Sequence, residues 1–121
     1  MTLIDSSVWI EHFNKPNAEV LELLSTDRAL VHPMVLGELS LSPFRGENFQ
    51  KAMIRLSLAE RVEDVEADEV LALVERFKLW GRGIGWVDCN LLASARAAHC
   101  HLLTRDKALK AAWLQVRPQD W

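Results

Sequence analysis

Four acidic residues stand where acids are unwelcome. Asp5 is the only formal charge in the first ten residues, MTLIDSSVWI, and Glu38 is the only one in the sixteen from Ala29 to Phe44. Asp88 is alone between Arg82 and Arg96, and Asp106 follows Leu102-Leu103-Thr104 with one residue between. Each lies in or beside sequence that should be buried, where an unpaired carboxylate is costly to desolvate. Two carboxylates 4 Å apart repel by about 4 kcal/mol at an effective dielectric near 20, so a shared site needs cations to hold it together. Hard divalent ions with oxygen ligands, Mg²⁺ or Mn²⁺, suit such a set. The plainer account makes Asp5, Asp88 and Asp106 helix caps, for which Asp is among the best residues, and pairs Glu38 with a buried arginine. Capping does not explain Glu38, and acids isolated in apolar runs mark sites, so the four together point to one.

The elements that must position them follow from periodicity. Leu3-Ile4 reads as a buried strand and Ser6 to Phe13 as a helix. Pro16 suits the first turn of a second helix through Val20, Leu21 and Leu24. Ala29-Leu30-Val31 reads as another strand, ended by His32-Pro33, with a helix from Met34 to Leu41. Helical spacing recurs from Glu47 to Leu58 and from Val70 to Phe77. The break Gly81-Arg82-Gly83-Ile84-Gly85 leads into a helix with Asp88 in its first turn, followed by a strand from His101 to Thr104 and a helix from Lys107 to Trp113. Strands alternating with helices argue for a parallel sheet with helices on both faces, and ligands gather at the carboxyl ends of such strands. Asp5 and Asp106 fall at that edge. Glu38 shares a helix face with Met34 and Leu41, so it is expected to point toward protein rather than water.

The totals bound the function. The chain has 121 residues, 50% of them hydrophobic, which favours one domain over residues 1–121. A net charge of −3 does not announce a nucleic-acid binder, so any polyanion must be met by a local basic patch or by metal ions. No signal peptide or membrane span is legible, so a soluble, cytoplasmic protein is expected. Cys89 and Cys100 are too few for a disulfide scaffold. His99-Cys100-His101 does not make a zinc site if it lies on a strand, where alternate positions face opposite ways. Most of the five tryptophans are expected in the core.

The start Leu3-Ile4-Asp5-Ser6-Ser7-Val8-Trp9-Ile10, the Glu38 helix, the segment Gly85-Trp86-Val87-Asp88-Cys89-Asn90-Leu91-Leu92-Ala93 and Leu103-Thr104-Arg105-Asp106 resemble, in order, the motifs of the PIN domain. The nearest match is the VapC-like toxins of type II toxin-antitoxin pairs. The resemblance implies an α/β fold, a three-layer α/β/α sandwich around a central, mostly parallel sheet. It implies that Asp5, Glu38, Asp88 and Asp106 form an acidic metal-binding quartet, with Ser6 and Thr104 as supporting hydroxyls. It also implies Mg²⁺- or Mn²⁺-dependent cleavage of RNA, a small antitoxin as partner, and a homodimer. Phosphate contacts would fall to Arg45, Arg82, Arg105 and Lys107 around the rim, with Arg82 favoured because glycines flank it.

Two rivals remain. The glycine-rich break lacks the G-x-G-x-x-G spacing and follows a helix, so it is not a dinucleotide fingerprint. An aspartyl phosphotransferase would want a second acid two residues after Asp5, where Ser7 stands. A non-catalytic module that grips a protein partner through its tryptophans is the alternative of another class, and the presence of all four acids weighs against it.

Overall fold

Leu3 and Ile4 are fully buried because they form the middle strand of a three-stranded sheet. In the computed structural model, which describes residues 1–43 and 45–121, strand β1 (Thr2–Ile4) lies between β2 (Ala29–Leu30) and β3 (His101–Leu103), all parallel. Leu3 stands opposite Leu30 on one side and Leu102 on the other, and Ile4 opposite Leu103. The buried positions of a strand paired on both edges and covered on both faces must be apolar, as Leu3 and Ile4 are. Val31 extends β2 by a single bridge to Arg61.

Seven helices connect and flank the sheet among the described residues: α1 (Ser6–Asn14), α2 (Ala18–Ser25), α3 (Pro33–Ser40), α4 (Phe49–Ser57), α5 (Ala67–Phe77), α6 (Trp86–Ala98) and α7 (Lys107–Val116). α1 packs on α3 and α3 on α4, while α6 packs against α5, α7 and β3. Every residue of α6 from Cys89 to Ala95 is buried, so this helix is enclosed rather than amphipathic. None of the helices is long and apolar enough to cross a membrane.

Several expectations change. Asn17, not Pro16, caps α2 through a bond from the Val20 amide, and Pro16 lies one residue before the cap. Only Trp9 and Trp113 are in the core, whereas Trp80, Trp86 and Trp121 are exposed. The surplus arises because Trp80 and Trp86 bracket the glycine loop, where no second layer covers them. His101 lies on β3, but His99 is the left-handed cap of α6 and Cys100 is buried between them.

The enclosure of α6 sets a stability test. Leu91 is fully buried there, so Leu91→Ala should lower the unfolding free energy by about 2–5 kcal/mol, read from urea titration.

Candidate metal centre

The sheet itself brings the first and last acids together. The amide of Asp5 donates to the Leu103 carbonyl at 3.0 Å, continuing the β1–β3 ladder one residue past the strand. Asp5 therefore emerges beside the turn Thr104-Arg105-Asp106. Its carboxylate is 4% exposed, and each oxygen is held. Oδ1 accepts from the Ser6 amide at 2.7 Å, and the Ser6 hydroxyl oxygen lies 3.4 Å away with its one proton directed to Glu38. Oδ2 accepts from the Ser7 hydroxyl at 2.8 Å and the Thr104 hydroxyl at 2.7 Å. These donors offset the desolvation of the buried charge.

The support continues outward. Thr104 Oγ1 also accepts from the Asp106 amide at 3.0 Å, and Ser7 Oγ from the Arg105 amide at 3.1 Å. Each hydroxyl has one proton, already given to Asp5, so the 3.4 Å between the Ser7 and Thr104 oxygens is a contact rather than a bond. Ser7 is the residue that sequence reasoning missed. Spacing offered no signal for it, since only the strand-to-helix corner decides which of two adjacent serines turns back to Asp5.

The other three acids come from helix ends. Asp106 caps α7, its Oδ1 accepting from the Ala108 and Leu109 amides at 2.8 and 3.1 Å. Asp88 sits in the first turn of α6 and accepts from the Gly85 amide at 3.1 Å. Capping is thus real for these two. Asp5 is a poor cap by comparison, because it takes the first amide of α1 and not those one or two residues further on.

Burial raises the Asp88 pKa above the usual carboxylate value; the Gly85 N–H pulls it down, and the charges of Asp5 and Asp106 push it up. Burial also raises that of Glu38, against a hydrogen bond from Ser6, with Asp5 and Asp88 adding to the rise. Charge thus couples Asp88 to Asp5 and Asp106, and Glu38 to Asp5 and Asp88. The expectation that Glu38 points into protein is corrected, because the side chain is exposed. Val35 and Leu39 form the packed face of α3, while Leu41 beyond its end is 85% exposed, so the side Glu38 shares with Leu41 opens to water. Nor does Glu38 pair with an arginine: the arginine ion pairs of the described residues are Arg28–Glu22 and Arg105–Glu11.

Four carboxylates without a basic partner suit a hard divalent cation by donor chemistry. Among the described residues no group of three or more acidic, histidine or cysteine side chains lies close enough together to hold a metal ion. Magnesium uses one or two carboxylates and keeps several waters, so the donor chemistry asks for a pair of these acids rather than a preassembled set.

The basic rim is less free than its sequence positions suggest. Arg105 grips Glu11 through two bonds of 3.2 and 3.3 Å, which lower the Glu11 pKa. Arg82 is half-buried and donates to Gln115 Oε1, so the glycine loop is fastened to α7. The loop's turns still need glycine, with φ of +68° at Gly81 and +77° at Gly83. Arg45 donates to the Ser40 carbonyl and lies 4.6 Å above the Phe49 ring. Lys107 is exposed immediately after Asp106.

A family model described as the PIN domain matches residues 2–113. The chain is 47% identical over 115 residues to Ribonuclease VapC32 of Mycobacterium tuberculosis, in strains CDC 1551 and H37Rv, spanning 93% of this chain and 90% of that protein. The crystal structure of PAE2754 from Pyrobaculum aerophilum has the same fold at a TM-score of 0.61 and 15% identity, covering 95% of this chain and 88% of the other.

The raised Asp88 pKa carries a sign. A folded-state value above the unfolded one means that ionisation opposes folding. The penalty is present above the raised pKa and gone below the unfolded value near 3.9. Asp88→Asn keeps an oxygen for the Gly85 amide but removes the charge. In EDTA near pH 7 it should melt above the parent, the gap closing toward pH 4, and a divalent cation should raise the parent's Tm more than the variant's.

Proposed function

The chain belongs to the PIN-domain family, and from that premise we propose that it is a metal-dependent endoribonuclease, the toxin of a toxin-antitoxin pair. The observation that carries this reading is the buried Asp5 carboxylate, held by Ser6, Ser7 and Thr104 at the sheet edge and coupled by charge to Glu38 and Asp88, with no ion pair to any of the four acids among the described residues. The likeness to a protein named a ribonuclease supports the substrate class.

In this reading Asp5 and Asp88 would hold Mg²⁺ or Mn²⁺, and Glu38 and Asp106 would join them. When bound, the cation supplies positive charge to the phosphodiester and makes water a better nucleophile. Asp5 is fixed in one orientation by Ser6, Ser7 and Thr104, so it is ready for that role before substrate arrives. Glu38 faces water, its pKa already raised, so it can take the proton of the attacking water onto a carboxylate oxygen. Asp106 uses Oδ1 for its helix, which leaves Oδ2 for the site. Lys107 and Arg105, on either side of Asp106, are placed to meet RNA phosphates, with Arg82 and Arg45 further partners once their present bonds yield.

The full reading adds a small cognate antitoxin as inhibitor, a homodimer, a single domain over residues 1–121, and a cytoplasmic location. A non-catalytic binding module would gain nothing from keeping four acids that repel one another.

The test is cleavage of total cellular RNA by the purified, antitoxin-free chain with Mg²⁺ or Mn²⁺. Discrete fragments should appear, vanish in EDTA, and vanish for Asp5→Asn. Thr104→Val, which removes one bond to Asp5 without changing shape, should lower the rate by about 10–100-fold. No cleavage with either ion, together with no metal binding by calorimetry, would overturn the assignment.

A further inference from the structure

Three of the five tryptophans stay at the surface, and the packing of one of them is plain. The Trp121 ring centroid lies 4.5 Å from that of His101 and 6.0 Å from that of Trp113. Trp80 and Trp86 are 58% and 44% exposed, and among the described residues no aromatic ring or guanidinium lies against either. A single exposed apolar side chain needs no explanation by itself. What distinguishes Trp86 is where it stands and how it is held.

Trp86 opens α6 two residues before Asp88, about 3 Å along the axis at 1.5 Å per residue. Asp88 turns back to the Gly85 amide, immediately before Trp86, and is coupled by charge to Asp5 and Asp106. Trp86 therefore adjoins the acids. Its backbone is pinned from inside the protein, because the side-chain amide of buried Asn90 donates to the Trp86 carbonyl at 2.9 Å. The loop before it is fastened to α7: Arg82 donates to Gln115 Oε1, and a Cβ placed on Gly83 would lie 3.9 Å from that of Ala108, two residues past Asp106. A large ring on a fixed backbone offers contact area at little entropic cost.

A polyanion approaching this edge meets mostly acid. The chain has a net charge of −3, and three of the four basic residues nearest the acids already have partners: Arg105 pairs with Glu11, Arg82 bonds Gln115 and Arg45 bonds the Ser40 carbonyl. Phosphate contacts are thus a weaker source of grip here than on a basic nucleic-acid binder. Stacking of bases on aromatic faces is the other general source, and it needs no charge.

We propose that Trp86 is a substrate-positioning residue, the platform on which the base of a nucleotide beside the scissile phosphate stacks. The proposal rests on the ribonuclease reading of the neighbouring acids. Every base has a π-face, so Trp86 sets where the strand lies rather than which sequence is cut. The nucleotide it holds must be unpaired, since a base within a duplex has both faces covered.

Cleavage kinetics and binding test this separately. On a strand carrying a cut site mapped with total RNA, Trp86→Ala should raise KM about 5- to 100-fold with kcat changed far less. Trp86→Phe should restore most of that loss and Trp86→Leu should not. An abasic nucleotide at one position near the cut should cost the parent the same factor, and at that position cost Trp86→Ala nothing more. Binding of a labelled single strand in EDTA should weaken in Trp86→Ala by a factor that is the same at low and physiological salt. The loss in Lys107→Ala should instead shrink as salt rises. Tm and metal affinity should match the parent's. A parent that binds the strand without cutting it, with binding still weakened in Trp86→Ala, would sink the ribonuclease reading and leave the stacking contact standing. Equal KM and binding for the parent and Trp86→Ala, or a loss tied to no single base, would overturn the proposal. So would a changed oligomeric state with RNA binding intact, which would make Trp86 a protein contact.

Discussion

A carboxylate that is 4% exposed at the end of the central strand is the constraint around which the carboxyl edge of the sheet is organised. Asp5 is held by donors from its own corner, Ser6 and Ser7, and from the far end of the chain, Thr104. The Thr104 bond joins positions 99 residues apart in sequence and exists only because β1 and β3 are paired in the register that sets Ile4 against Leu103. A slip of that register by one residue would turn Thr104 to the other face and leave Asp5 buried without one of its partners. The buried charge therefore enforces the strand alignment as much as the alignment shelters the charge.

The helix ends around that edge do two things at once. Asp106 and Asp88 satisfy amides that begin α7 and α6, and the same carboxylates crowd Asp5 and, through Asp88, Glu38. Capping and ligation do not compete, because a carboxylate has two oxygens and each cap uses one. For Asp88 and Glu38, burial and neighbouring charge oppose ionisation, a cost that the proposed cation would relieve.

The sequence made Asp5, Asp88 and Asp106 visible because each interrupts an apolar run, and strand-then-helix order assigned two of them to one sheet edge. What it could not resolve was direction. Glu38 lies on a helix face marked by Met34 and Leu41, which periodicity alone marks as packed; among the described residues Leu41 is 85% exposed, so that face opens to water. Ser6 and Ser7 are equivalent in sequence until the corner after β1 sends Ser7 back to Oδ2 and Ser6 between Oδ1 and Glu38. Arg82 looked mobile because of its glycines, yet Gln115 of α7, thirty-three residues away, holds it. Tryptophan exposure failed for a similar reason, because hydrophobicity alone says nothing of which loops lack a neighbouring layer.

Those errors share one origin. Residue type and spacing report which groups a chain must bury, while the outward direction of a side chain depends on which neighbours are missing. A site open to a large substrate lies where neighbours are missing, as at the end of α3 and around the glycine loop. Two of the places where the pattern of burial departs from expectation, the exposed Glu38 face and the exposed Trp80 and Trp86, flank segments that carry or lead into the acids. An enclosed cavity would suit a small ligand, whereas an acid cluster at an uncovered edge, with Lys107 and Arg105 beside it, leaves room for a polymer to lie across it.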